Sequence, residues 1–153
     1  MATKTSATPK SEPQVIPTPT KTITIASVVD VVGILATDSL AGQVYFMDTN
    51  KAEGSTGQGT ENLRTVVSAG YRLVWTVIFL ECEAYAAIDE IIIDPEYCEP
   101  EKKVYEGTDV SYWMGTVKKD ITSPVPYTVK FKVGTRDESI PTASPLYLIG
   151  KGS

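Results

Sequence analysis

Residues 71–80, YRLVWTVIFL, form the most apolar segment of this 153-residue chain and decide its fold class. Their β-branched and aromatic side chains suit a pleated sheet better than a helix. In an extended strand, successive side chains point to opposite faces. One face then carries Leu73, Trp75, Val77 and Phe79, and the other carries Val74, Ile78 and Leu80. Because both faces are apolar, the pattern predicts a central strand covered on both sides.

Segments of similar character flank this strand. Residues 22–35 are rich in β-branched residues and predict one long first strand, which Gly33 would allow to bend. Residues 86–94 have helix-compatible composition, but three isoleucines followed by Asp94-Pro95 favour a strand that ends at a turn. Residues 63–67 lead into the central strand, and further strands are predicted at residues 43–47, 110–117, 126–133 and 145–149.

Residues 126–133 show the clearest alternation. Tyr127, Val129, Phe131 and Val133 would point inward, and the residues between them outward, as in a half-exposed antiparallel strand. Seven or eight short strands with turn signals, and no convincing helix, predict an all-β antiparallel sandwich over residues 22–150. Its predicted core includes Trp75, Val77, Phe79, Val129 and Phe131.

Residues 1–21 differ in composition from the rest of the chain. They are rich in Thr, Ser and Lys, with prolines at positions 9, 13, 17 and 19, and predict an extended or disordered leader outside the domain. Two interpretations remain open: an assembly arm or tether, or a plain disordered tail. The leader lacks the apolar core of a secretory signal, and no apolar run reaches membrane-spanning length. We therefore expect a cytoplasmic protein, which could be packed into inclusions. Release by a route that needs no signal peptide stays open.

The charge of the chain argues against two classes of partner. Fourteen basic and nineteen acidic residues give a formal net charge of −5 and a pI near 4.8, which disfavours nucleic acid and anionic membranes. Residues 81–101 contain carboxylates and no lysine or arginine. This acidic block is either a solvated face or a surface for a cationic partner or divalent ions.

The chain contains no histidine. This removes the usual general base near neutral pH, the Ser-His and Cys-His pairs, and most zinc sites. No G-x-S-x-G motif occurs, and the glycines at positions 54, 57 and 59 are followed by no Gly-Lys-Ser/Thr motif. We therefore predict a protein that is not an enzyme and has no catalytic residues, required metal or cofactor. The glycine-rich residues 53–59 are predicted to form a polar, mobile loop.

Three residues are the candidates for ligand binding. Asp48 and Asn50, with Glu53 nearby, could supply oxygen ligands to calcium, or could instead cap a turn. Trp113 could stack on a sugar ring, or could belong to the core as Trp75 does. The two cysteines, Cys82 and Cys98, are predicted to be free thiols, with a bridge between them as the alternative in an oxidising compartment.

The order of several segments resembles the AidA/PixA family of bacterial inclusion-body proteins, whose members include nematocidal AidA-like proteins. The resemblance spans nearly the whole domain and rests on residues 25–35, 44–50, 57–63, Gly70, Trp75, residues 112–113, 127–131 and 145–149. It implies a β-sandwich of bacterial origin, sometimes packed into intracellular inclusions and linked in some members to interactions with hosts, and it implies no catalytic residues. The leader and the acidic, cysteine-bearing block depart from the family.

Two hypotheses of function follow. In the first, the protein self-associates into an oligomer or larger assembly, or binds a host protein, through strand edges and an apolar patch. In the second, it is a lectin-like sandwich that holds a glycan with Asp48, Asn50 and Trp113, with or without calcium.

Overall fold

The computed structural model describes residues 20–152. Ten β-strands, one short α-helix and one 3₁₀ turn at Lys51–Glu53 make up its regular structure. The helix is α1 at Val31–Thr37, and the strands are β1 Thr22–Val29, β2 Val44–Asp48, β3 Arg64–Val67, β4 Arg72–Phe79, β5 Ala86–Ile93, β6 Glu101–Val104, β7 Ser111–Thr116, β8 Val125–Val133, β9 Ile140–Pro141 and β10 Leu146–Gly150. None of the helices described could span a membrane.

The strands form two sheets that pack face to face. Sheet A has the order β2-β1-β4-β7-β6, and sheet B has the order β3-β10-β8-β5 with β9 paired to β8. The all-β sandwich predicted from the sequence is confirmed. It is not purely antiparallel, because β1 pairs with β4, and β3 with β10, in parallel. Parallel neighbours need a crossover connection, and here long stretches of chain separate the two strands of each parallel pair.

The inward-facing side chains of both sheets form the core. Trp75 on β4 and Tyr127 on β8 meet across the sandwich, edge to face, with ring centroids 6.0 Å apart. The indole N–H of Trp75 donates to the Tyr127 hydroxyl at 3.4 Å. Val129 and Phe131 are fully buried, and Val77 is partly buried against this cluster.

The prediction of a single strand over residues 22–35 is wrong. β1 ends at Val29, and Asp30 then caps α1 by accepting a hydrogen bond from the Gly33 amide at 2.8 Å. The β-branched residues of this segment led to the strand prediction. Intrinsic propensity is a small effect, however, and the N-terminal cap together with tertiary packing outweighs it here. Strands β6 and β9 were also missed, since one is mostly charged and the other has only two residues.

The prediction that β4 is covered on both sides is also wrong. Leu73 and Trp75 face the core, but Ile78 is 52% exposed and Leu80 57% exposed, because no third layer covers sheet A within the described residues. Phe79 was predicted to be core, yet it is 39% exposed. It is the last residue of β4, beyond the stretch that β7 pairs.

The two cysteines are free thiols and lie at opposite ends of β5. Cys82 is exposed and Cys98 is fully buried. The eight residues of β5 between them span roughly 25 Å at the usual strand rise, whereas the Cα atoms of a disulfide lie about 4–7 Å apart. In this fold the two thiols therefore lie too far apart to form a bridge within one chain.

Candidate functional site

Asp48, at the end of β2, uses both carboxylate oxygens within the protein. Its Oδ2 accepts a hydrogen bond from the Thr65 hydroxyl on β3 at 2.7 Å. Its Oδ1 accepts from the Gln58 amide at 2.9 Å and from the backbone of Asn50 at 2.8 Å. The side chain thus ties sheet A to sheet B and fixes the loop that contains Gln58.

Asn50 is fully buried beside it. Its amide Nδ2 donates to the Val66 carbonyl at 2.7 Å and to Glu53 at 3.0 Å, and its Oδ1 accepts from the Lys21 ammonium at 2.6 Å. The ammonium of Lys21 therefore already contacts Asn50 Oδ1, the oxygen that a bound cation would use. The side chain therefore serves as an internal connector between the segment preceding β1, the 3₁₀ turn and β3.

Glu53 is held by several neighbours. It accepts from Asn50 and from the Tyr71 hydroxyl at 3.0 Å, and Lys21 and Lys151 lie 3.5 and 3.7 Å from it. The hydrogen bond from Asn50, followed by that from Tyr71, holds the pKa of Glu53 below its ordinary value. Residues 53–59, expected to be a mobile loop, are fastened here by Gln58 and by the pairing of Thr56 with Arg64.

Trp113 on β7 also points between the sheets. Its indole N–H donates to the Ile88 carbonyl on β5 at 3.0 Å, next to an irregularity in the pairing of β5 with β8. The residue is partly buried and packs against the core. Its polar atom is therefore used to join sheet A to the edge of sheet B.

The three predicted ligand-binding residues do not converge. Asp48 pairs in register with Ile25, Ile25 with Trp75, and Trp75 with Trp113. Three strand spacings separate Asp48 from Trp113, which is about 14 Å at the usual distance between strands. All of these residues lie on the inner side of sheet A, where the polar groups of Asp48 and Trp113 bond to sheet B.

The exposed apolar side chains concentrate at one end of the sandwich. We call it the apolar end: α1, the β4–β5 loop, the β6–β7 turn and the adjoining ends of β2, β4 and β6. Among the described residues, all of the exposed large apolar side chains except Met47 and Ile92 lie there. They are Val32, Leu35, Tyr45, Ile78, Phe79, Leu80, Tyr85, Val104, Tyr105 and Val110.

The strand register explains this concentration. β1 and β4 run in parallel and end together at Val29 and Phe79, so α1 and the β4–β5 loop follow at the same end. β2 and β7 run antiparallel to these strands, which brings Tyr45 and the β6–β7 turn to the same place. Glu81 fastens α1 to the loop by accepting from the amide of Val31 at 3.0 Å.

A cleft of about 550 Å³ opens at the apolar end. Its walls are mainly apolar, from α1 and from the β4–β5 loop, and the exposed thiol of Cys82 is among its lining groups. Phe79 and Tyr85 flank it as an aromatic pair with ring centroids 6.4 Å apart. An apolar segment with a few polar groups would fit a cleft of this kind.

The loops at the apolar end are acidic. The β4–β5 loop carries Glu81 and Glu83, and the β6–β7 turn carries Glu106 and Asp109, without a lysine or arginine in either. Arg136, on the loop between β8 and β9, pairs with Asp38. The acidic block at residues 81–101 is divided between the two ends of β5. At the end away from the cleft, Glu96 and Glu99 pair with Lys119 and Lys118.

Sequence reasoning missed the apolar end. The consecutive apolar residues Ile78, Phe79 and Leu80 before an acidic loop were the available signal. A strand that is apolar on both faces is consistent either with two covering layers or with one covering layer and an open face, and composition does not distinguish them.

Comparison with known proteins gives a family and a fold. A crystal structure described as an inclusion body protein, PixA, from Burkholderia cenocepacia J2315 is similar, with a TM-score of 0.62 over 88% of this chain and 94% of that chain. Sequence identity is 13%, so the similarity concerns the fold, and the predicted PixA-like fold is confirmed. No protein of curated function matches the sequence. Residues 21–138 match the family described as a domain of unknown function, DUF8788, and the chain belongs to that family.

Proposed function

We propose that this protein is a non-enzymatic assembly protein that self-associates through its apolar end. The observation that carries the proposal is the concentration of exposed apolar side chains at that end. Scattered apolar residues are normal on a protein surface, whereas a contiguous patch marks a contact site. The PixA structure is described as that of an inclusion body protein, which supports a role in assembly inside the cell.

The strength of the contact follows from the area involved. A half-exposed aromatic side chain leaves roughly 100 Å² in water, so Tyr45, Phe79, Tyr85 and Tyr105 together leave about 400 Å². Burying that area contributes about 10 kcal/mol, which is of the same order as the ~4–15 kcal/mol cost of association. We therefore expect weak contacts that become populated at high local concentration, as inside an inclusion.

The test is sedimentation velocity over a wide range of protein concentration. We expect the wild-type protein to form species larger than 16.6 kDa as concentration rises. Val32→Lys places a charge on a side chain that is 61% exposed in the cleft, and should shift the distribution toward monomer.

Ile92→Lys is the matched control, because Ile92 is 46% exposed but lies on β5, away from the apolar end. It should assemble as the wild-type protein does. A wild-type protein that stays monomeric at every concentration would refute the proposal, as would equal behaviour of the two lysine variants.

A carbohydrate-binding function is the second candidate, and a different set of residues favours it. The rings of Tyr105 and Tyr112 lie against each other at a tilt of 35°, with centroids 4.5 Å apart. Tyr105 is half-exposed, as a platform for a sugar ring would require. A glycan array with and without calcium tests this candidate. We expect any binding to be lost in Tyr105→Ala and to be independent of calcium, since Lys21 donates to the buried Asn50.

A further inference from the structure

We propose that the apolar end of one copy receives the N-terminal leader of a second copy, with Val15 and Ile16 in the cleft and Lys10 beside the acidic loops. The inference rests on the proposed self-association and names the segment that makes the contact. This contact would join two copies head to tail through a specific segment rather than through a general apolar patch.

The cleft and the leader match in chemistry. The cleft has apolar walls from Val32 and Leu35 and is flanked by the Phe79–Tyr85 aromatic pair. Proline-rich segments bind in aromatic-lined grooves, because proline restricts the unbound chain and little conformational entropy is lost. Within residues 1–19, Val15 and Ile16 form the apolar pair, and Pro13 and Pro17 flank it.

The charges of the two partners are complementary. Glu83, Glu106 and Asp109 at the apolar end form no ion pair with any described lysine or arginine. The leader supplies Lys4 and Lys10 against a single acidic residue, Glu12. Opposite charges at the rim of an apolar contact select the partner and its orientation.

The geometry places this contact between copies. The carbonyl of Lys21 accepts a hydrogen bond from the amide of Arg72 at 2.8 Å. Arg72 is the first residue of β4, and the last residue of β4 lies at the apolar end. The described chain therefore begins at the opposite end of the sandwich. The four residue-to-residue steps from Thr20 to Ile16 reach at most ~14 Å when fully extended, whereas β1 alone spans about 23 Å. The leader's apolar pair therefore cannot enter the cleft of its own copy.

A joint of this kind has a consequence for assembly. The donor and acceptor surfaces are different and lie at opposite ends of the molecule, so the contact is heterologous. Heterologous contacts that do not close into a ring continue from copy to copy. Open-ended growth is the behaviour that a protein stored as an inclusion needs.

A complementation experiment with full-length chains tests the joint. Ile16→Glu disables the leader and leaves the cleft intact, and Val32→Lys disables the cleft and leaves the leader intact. We expect each variant alone to sediment as a monomer, and an equal mixture to form a complex of twice the 16.6 kDa monomer mass that grows no further. Thr18→Glu and Ile92→Lys, which introduce the same charged residues elsewhere, should assemble as the wild-type protein does.

Disulfide trapping supplies a second readout. Cys82 lines the cleft and is exposed, whereas Cys98 is buried. Val15→Cys should therefore give a ladder of covalent oligomers under mild oxidation, and the ladder should disappear when Cys82→Ser is added.

The outcomes separate this inference from the proposed function. If the wild-type protein assembles and Val32→Lys does not, but Ile16→Glu assembles normally and no ladder forms, the apolar end is the contact surface and the leader is not its partner. A disulfide that joins Cys82 to the thiol introduced at position 15 within single chains would overturn the head-to-tail arrangement. If the wild-type protein never assembles, both proposals are wrong.

Discussion

Asn50→Asp distinguishes an internal connector from a ligand-binding residue. Aspartate has almost the shape of asparagine and keeps an oxygen for Lys21, but it cannot donate the two hydrogen bonds that Nδ2 makes to Val66 and Glu53. A carboxylate oxygen would then face a buried carbonyl and a second carboxylate. If Asn50 were instead a calcium ligand, aspartate would bind the ion more strongly.

The expected loss of stability follows from those contacts. Leaving the buried Val66 carbonyl without its donor costs about 1–3 kcal/mol. Repulsion between the introduced carboxylate and Glu53 adds to this, and attraction to Lys21 partly offsets it, so we expect a total of about 2–4 kcal/mol. With a urea m-value of about 1–3 kcal/mol/M, the midpoint of unfolding should fall by roughly 1–2 M.

Urea denaturation followed by tryptophan fluorescence measures this shift. Asn62→Asp makes the same chemical change at an exposed position and should leave the midpoint within about 0.3 M. A loss below about 0.5 kcal/mol for Asn50→Asp would refute the connector role. So would a rise of its midpoint on addition of millimolar calcium that the wild-type protein does not show.

Three further expectations concern the core and the titratable groups. At pH 8 one thiol of two should react rapidly with a thiol reagent, because burial raises the pKa of Cys98 to about 12 while Cys82 is exposed; rapid reaction of both in the folded protein would contradict this. The pKa of Glu53 is lowered in the folded protein, so the ionised side chain stabilises the fold above the ordinary pKa of 4.5, and this stabilisation is lost as pH falls through the folded pKa. Glu53→Gln should therefore flatten the pH dependence of the free energy of unfolding below pH 4.5. An unchanged pH profile would exclude this contribution. Trp75→Ala should cost about 3–5 kcal/mol by thermal or urea unfolding, and an unchanged melting temperature would contradict its place in the core.

The candidate site could be predicted from the sequence only in part. Asp48 and Asn50 are the residue types that bind cations, and Trp113 is the type that stacks on sugars. The sequence does not indicate that Lys21, far along the chain, brings its ammonium to Asn50, or that Ile88 offers a carbonyl to Trp113. Polar side chains that face inward satisfy each other across the sandwich, and only the packed sheets supply those partners.

The sequence alone determined the class of the fold and much of its core. Alternation with a period of two along β8 places Val129 and Phe131 inside, because a strand turns successive side chains to opposite faces. The absence of histidine likewise needs no structure to restrict the chemistry. Only the tertiary structure decided which apolar face is covered, because periodicity assigns side chains to a face but does not say whether another layer packs on it. Thus Trp75 lies in the core while Leu80, on the same segment, is exposed at the apolar end.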